Sequence, residues 1–337
     1  MAYVADWSSY NIRVEGILKI DILNYAFALI KNDEVVVDNL LYIDKIKELK
    51  RYNDNLKIVL SIGGWGADGF SQVARYRKTR KHFANSVKEI IIEHGFDGVD
   101  IDWEFPGSSD AGIVAGEDDK RNFTLLIEEI KKVLCKMEEE SYKRYILSIA
   151  VGGFQKAADN LEICKLNGLI DYCNIMTYDF AGGKRLLNHM HHTNLCSISK
   201  LDRVSVHEAV KIYITGGMDK EKILIGAGFY GRGISNVNMR KGQLEAKKGK
   251  EPKGISLTYT EIDKILMGKN SYKRYWDKCS KAPWLYDGDT YISYDDEKSI
   301  GYKCAYIKKC RLAGLMFWEY NQDETGKLLS KIYADLK

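Results

Sequence analysis

The stretch Phe96-Asp97-Gly98-Val99-Asp100-Ile101-Asp102-Trp103-Glu104-Phe105-Pro106-Gly107 decides the fold. Apolar Val99, Ile101 and Trp103 alternate with acidic Asp100, Asp102 and Glu104, the period of two by which a strand sends successive side chains to opposite faces. The three acids therefore share one face, which in a closed barrel is the interior. Carboxyl groups so close cannot all ionise cheaply. At least one should hold a proton near neutral pH, and Glu104, at the strand's C-terminal end, is placed to keep a raised pKa and act as a general acid. Two other readings stay open, a solvated acidic turn and a Mg²⁺ or Ca²⁺ site, since hard cations prefer carboxylates. Against the metal stand the alternating apolar residues, which set the row in a packed strand, and the lack of a His or Asn cluster beside it.

Working outward, similar apolar runs recur as strand candidates at Tyr3–Trp7, Ile22–Leu29, Lys57–Trp65, Ile146–Val151, Tyr172–Tyr178, Ile223–Tyr230 and Gly314–Trp318, with Gly98–Glu104 the fourth of eight. Amphipathic segments such as Leu40–Arg51, Arg80–His94 and Lys120–Met137 lie between them. Eight strands alternating with helices predict an α/β fold, a TIM (β/α)8 barrel. The start-to-start spacing jumps between the last two strands. Residues from Ile234 to about Asp296, rich in Tyr and Trp and alternating at Thr290–Tyr294, read as a small α+β insertion between strand 7 and helix 7. Residues 1–337 are thus expected to form one catalytic domain, with the insert as one wall of a cleft, because loops after barrel strands build the working face.

Composition supports an ordinary folded chain. Of 337 residues, 45% are hydrophobic and only 3 are proline, which excludes collagen-like and proline-rich disordered chains. The net charge of +4, from 51 basic and 47 acidic residues, gives no strong pull toward nucleic acid or membrane. The run Lys247, Lys248, Lys250 and Lys253 reads as a solvated loop. No apolar run approaches the roughly 18 residues that span a bilayer. The N-terminus lacks a leader profile, so the compartment is left open: extracellular if a leader preceded this sequence, cytoplasmic otherwise. Seven dispersed cysteines read as free thiols, with Cys164, Cys173, Cys304 and Cys310 as buried, inert ones.

Asp97–Glu104 resembles the D-G-x-D-x-D-x-E signature of glycoside hydrolase family 18, the chitinase family. Ser61-Ile62-Gly63-Gly64-Trp65 on strand three resembles its S-x-G-G motif, and Met176-Thr177-Tyr178-Asp179 on strand six its M-x-Y-D motif. Strand two (Asn24–Phe27), strand seven (Gly228–Arg232) and strand eight (Gly314–Trp318) also resemble family counterparts, so the likeness covers essentially the whole chain. The insert resembles the α+β insertion of the bacterial-type chitinases with deep clefts.

The resemblance implies retaining hydrolysis of β-1,4-linked N-acetylglucosamine chains in which the substrate's own acetamido oxygen attacks the anomeric carbon, without cofactor or metal. It implies that Glu104 protonates the glycosidic oxygen and later activates water. Asp102 would bind the acetamido N–H and stabilise the oxazolinium ion, and Asp100 would hold or share a proton behind it. Tyr178 would donate to the acetamido carbonyl, while Asp179 would bind the distorted sugar and influence Glu104. Trp318 resembles the tryptophan beneath the reacting sugar and Trp65 the aromatic on the leaving-group side. Tyr3, Phe27, Met176, Ser61 and Arg232 are further substrate-binding candidates, each weighed against ordinary barrel filling or, for Arg232, a solvated charge. His191 and His192 read as loop histidines rather than substrate contacts. The expected partner is a carbohydrate, with no nucleic acid and no membrane, and the expected state a monomer.

Alternatives on the same fold are an endo-β-N-acetylglucosaminidase, a cell-wall aminosugar hydrolase, or a chitinase-like lectin that only binds. Such lectins typically lose the terminal acid of the signature, whereas Glu104 is present. The sequence shows neither the leader nor the added chitin-binding module usual in secreted chitinases, which sets soluble chitooligosaccharides beside crystalline chitin as candidate substrates.

Overall fold

The computed structural model describes residues 1–197, 204–240, 242–268 and 271–337. Its centre is a closed barrel of eight parallel strands, Ala2–Ala5, Ile22–Lys31, Lys57–Gly63, Gly98–Asp102, Ile146–Gly152, Tyr172–Met176, Ile223–Gly228 and Gly314–Trp318. Closure is direct, because the first strand pairs in parallel with both the second and the eighth. Apolar residues on the outward faces explain why helices cover the barrel. Trp103 stacks on Phe70 at 5.4 Å and meets Phe123 edge-on at 5.7 Å. The helix Asp119–Ser141 buries Phe123, Leu126, Ile127, Ile130, Leu134 and Met137, the spacing of a single helical face. The helix Arg77–His94 ends where Gly95 takes φ 71° and returns its N–H to the Ile91 carbonyl.

Five strands end short of their apolar runs, the seventh at Gly228 because Tyr230 starts an insert strand, and the reasons for the other four place the site. The first ends at Ala5 instead of Trp7 because Asp6 turns aside to accept the backbone N–H groups of Leu41 (2.9 Å) and Tyr42 (3.1 Å). The third ends at Gly63, where Gly63 and Gly64 adopt φ 115° and 89°. A Cβ there would lie 2.1 Å from the Asp102 carbonyl and 2.6 Å from the Phe27 ring, so the S-x-G-G glycines allow two strand ends to close on each other. The fourth and sixth stop at Asp102 and Met176, which leaves Glu104 and Tyr178 just beyond the barrel rim.

After the seventh strand the chain enters an antiparallel sheet in the order Lys253–Thr258, Tyr230–Ser235, Tyr291–Ser293, Ala282–Tyr286, Lys273–Asp277. A hairpin, Val237–Arg240 with Gln243–Ala246, and the helix Tyr259–Met267 accompany it. That helix starts on a capping box between Thr258 and Glu261. The helix Glu297–Cys310 then returns to the last barrel strand, begun by a second box between Asp296 and Ser299. All seven cysteines are free, and Cys173 and Cys304 are buried. Cys164, expected inside, is exposed, because Ile163 and Leu166 take the inward face of its short helix.

Candidate active site

Asp100 sits at the bottom of the site and is fully buried. Strand register sets Ser61, Asp100 and Ser148 side by side on three neighbouring strands. Its Oδ2 accepts from Tyr3 Oη (2.9 Å) and Ser61 Oγ (2.7 Å), and its Oδ1 from Ser148 Oγ (2.6 Å) and Asn174 Nδ2 (3.1 Å). Four neutral donors fill the four acceptor positions of a carboxylate. Burial raises the Asp100 pKa, and the four hydrogen bonds oppose that rise.

Asp102, the next inward residue, is buried and its Oδ1 has no hydrogen-bond partner. Burial pushes its pKa well up, and the charges of Glu104 and Asp100 add to the rise. Both pKa values are raised, that of Asp102 the more, so a proton shared along the row favours Asp102, while the four donors favour the ionised form of Asp100. Glu104 follows at the rim, where burial first and the negative Asp179 second push its pKa up to about 7. A carboxyl poised there can give a proton and take one back near neutral pH.

Asp179, at φ 56°, is bound by Arg232 in a bidentate grip along one guanidinium edge, Nε to Oδ1 at 2.6 Å and Nη2 to Oδ2 at 2.9 Å. Burial alone would raise its pKa, but Arg232 and the Tyr230 hydroxyl bring it below the ordinary value. Arg232 lies on an insert strand in register with Ser256, to which it also donates (3.1 Å), and its guanidinium sits 4.8 Å over the Tyr230 ring. Tyr178 is a half-buried phenol whose pKa is raised by burial and then by Asp102, so it keeps its proton as a donor.

Asp102, Glu104, Tyr178, Asp179 and Arg232 open into one cleft of about 1540 Å³, with Asp100 closed off beneath it. Trp318 lies in its wall with Phe27 stacked on it at 5.4 Å and 16°, Tyr3 at 5.9 Å and Trp7 at 6.1 Å. Trp65, 64% exposed, stands edge-on to Phe105 at 6.5 Å, and Phe105 meets Phe154 at 5.5 Å. Of the residues singled out from sequence, Glu104, Asp102, Tyr178, Asp179, Trp318, Trp65, Met176, Tyr3, Phe27 and Arg232 line the cleft. Ser61 does not: it is fully buried and its hydroxyl is spent on Asp100, so its place is under the acidic row and not against a ligand.

His191 and His192 lie in a loop and outside the cleft lining, as expected of loop histidines, but both are buried. His191 is wedged between Asp277 (3.1 Å) and Tyr291 (3.4 Å), and His192 is wholly buried behind Asp179. Sequence reading missed Ser148 and Asn174, although each is a polar residue interrupting an apolar strand. It also missed Trp7, Phe105 and Phe154, which lie just past strand ends. Among the described residues no group of three or more His, Cys, Asp or Glu side chains converges as a metal site requires.

Comparison with known proteins gives the same direction. The model of the family "Glycosyl hydrolases family 18" matches residues 1–323. Chitinase A1 of Niallia circulans is 36% identical over 310 residues, covering 87% of this chain and 44% of that protein, so the chain spans less than half of that relative. A solved family 18 N-acetylglucosaminidase from Paenibacillus barengoltzii superposes with a TM-score of 0.93 at 40% identity, covering 99% of this chain and 98% of the other. Human YKL-39, described as a pseudo-chitinase with retained chitooligosaccharide binding, superposes with a TM-score of 0.87 at 27% identity, covering 99% and 98%.

Proposed function

The chain belongs to glycosyl hydrolases family 18 and is a glycoside hydrolase of the chitinase family, and from that premise we propose that it hydrolyses β-1,4-linked N-acetylglucosamine chains with the substrate's acetamido group as nucleophile. One observation carries the reading: the unpartnered, buried Oδ1 of Asp102 on the same strand face as Glu104, whose pKa is pushed up to about 7. Glu104 gives its proton to the glycosidic oxygen. The acetamido oxygen closes on the anomeric carbon, and Glu104, now ionised, takes a proton from the water that opens the ring. The free Asp102 oxygen is an acceptor for the acetamido N–H, and Asp102 as an anion stabilises the positive oxazolinium ion. Tyr178 donates to the acetamido oxygen, and Asp179 holds the sugar while keeping Glu104 protonated. Trp318, with Tyr3, Phe27 and Met176 around it, forms the apolar floor beneath the reacting ring. Trp65 stacks on the leaving-group side, and Arg232 contacts the chain next to Asp179.

A second reading is favoured by the likeness, over nearly the full length of both chains, to an N-acetylglucosaminidase: release of single terminal sugars. Incubating the protein with the N-acetylglucosamine hexamer, and resolving products and anomers by NMR, separates the two. Oligomeric products with the β-anomer formed first are expected. Monosaccharide alone supports the second reading, and a hexamer that binds but survives overturns both in favour of a binding protein.

A further inference from the structure

His192 is 0% exposed, yet neither of its ring nitrogens has a hydrogen-bond partner. Buried polar groups in native proteins are paired, and one that is not needs an account. Its surroundings are specific. Nδ1 lies 3.9 Å from Asp179 Oδ1, too far for a hydrogen bond and about 1 Å from making one. The ring tilts against Tyr230 at 5.2 Å, the same tyrosine that carries Arg232 on its other contact. Its backbone N–H is tied to Ser293 Oγ (3.0 Å), so the imidazole is anchored from the insert sheet. The charged and titratable groups around it are Asp179, Arg232, Lys303 and His191, and burial dominates them, pushing its pKa down to about 3. The ring is therefore neutral, and a neutral imidazole always carries one N–H.

Asp179, by contrast, has a side chain 43% open to the cleft. In the structure Arg232 occupies both of its oxygens. A sugar hydroxyl entering from the cleft competes with that double grip, and a carboxylate drawn partly off the arginine needs another donor to stay ionised and in place. We infer that His192 is a positioning residue for Asp179, its buried N–H forming the seat into which the carboxylate moves by about 1 Å when substrate draws it from the arginine. The orphaned nitrogen of the free protein is then the unfilled half of a contact completed during the reaction. The inference rests on the reading above in taking Asp179 as a sugar-binding carboxylate.

The test uses His192→Leu, which fills the space without a donor, and His192→Asn and His192→Gln, which restore an N–H. Replacing an unpaired buried polar group by an apolar one of similar size is neutral or stabilising. His192→Leu is therefore expected to melt at or above the wild-type temperature while kcat on the hexamer falls about 10- to 100-fold and KM changes by less than about 3-fold. The Asn or Gln variant should recover most of the loss. Independently of turnover, ¹⁵N-labelled imidazole in the Glu104→Gln protein should shift at Nδ1 when hexamer is added. Unchanged kcat in His192→Leu, an equal loss in all three variants, a loss that merely tracks a fallen melting temperature, or an imidazole signal indifferent to bound hexamer would each overturn the inference. Wild-type protein that does not cleave the hexamer would instead sink the proposed function, so the two failures are distinguishable.

Discussion

Replacing Asp100 with asparagine keeps the shape of the side chain and changes one oxygen into an NH₂ group. If the nitrogen takes the place of Oδ2, it faces Tyr3 Oη, which already accepts from Asn174 Nδ2 at 3.0 Å, and the tyrosine proton loses its acceptor. If it takes the place of Oδ1, two amide NH₂ groups meet across 3.1 Å, and turning Asn174 over only transfers the unpaired donor to that residue. Either arrangement strands at least one buried donor even if the serine on that oxygen turns away, at a cost of about 1–3 kcal/mol. For 337 residues the unfolding entropy near Tm is roughly 0.7 kcal/mol/K, so Asp100→Asn should lower Tm by about 1–4 °C. Asp100→Ala strands all four donors and should cost several-fold more, unless water enters the space and repairs part of the loss. Calorimetric melting of the three proteins at pH 6 reads this directly. An asparagine variant as stable as wild type, or an alanine variant no worse than asparagine, would refute the claim that four donors favour the ionised form of Asp100.

Glu104→Gln should lower kcat on the hexamer by at least about 10²–10⁴-fold while isothermal titration still finds the oligosaccharide bound, because the amide keeps the shape but gives no proton. The alkaline limb of kcat/KM should fall as pH rises through about 7, where Glu104 loses the proton it must donate. Asp179→Asn removes a charge that raises that pKa and should move the limb to lower pH, so a limb that stays put or moves up counts against the assignment. Trp318→Ala should raise KM by about 30-fold, the loss of roughly 2 kcal/mol of stacking, measurable in steady-state kinetics.

The barrel was legible because its strands are covered on both faces and so read as unbroken apolar runs, with the acidic row the one place where period two carried charge. Strand ends were less legible. Gly63-Gly64 and Asp6 stop their strands through contacts with Asp102, Phe27 and the Leu41–Tyr42 backbone, partners remote in sequence. The cleft aromatics followed the family motifs where a motif exists, as at Trp318 and Trp65. Trp7, Phe105 and Phe154 lie past strand ends, where nothing local distinguishes a cleft wall from a surface loop. Ser61 was placed one layer too high, since alternation gives a face but not a depth. The burial of the two loop histidines was not legible for another reason: it depends on the insert sheet packing against residues 191 and 192, a contact about 100 residues away in sequence.

The distribution of protons in the acidic row follows from which donors can move. Asp100 is filled by Tyr3, Asn174 and two serines, and of these the serine and tyrosine hydroxyls can turn away without displacing a heavy atom, whereas the Asn174 amide cannot. Turning one of them frees a lone pair on the side of the neighbouring strands. On the proposed mechanism, Asp102 must give up its proton when the positive oxazolinium ion forms above it, and Asp100 is the adjacent base. A hydroxyl rotation is therefore enough to open the seat, and the proton can return once the cation is discharged. Fixed donors in all four positions would have locked Asp100 as an anion and left Asp102 neutral beneath a cation. An emptier pocket would have let Asp100 keep the proton in the resting state, leaving Asp102 charged against Glu104 and pushing the acid's pKa above the range in which it can also act as a base.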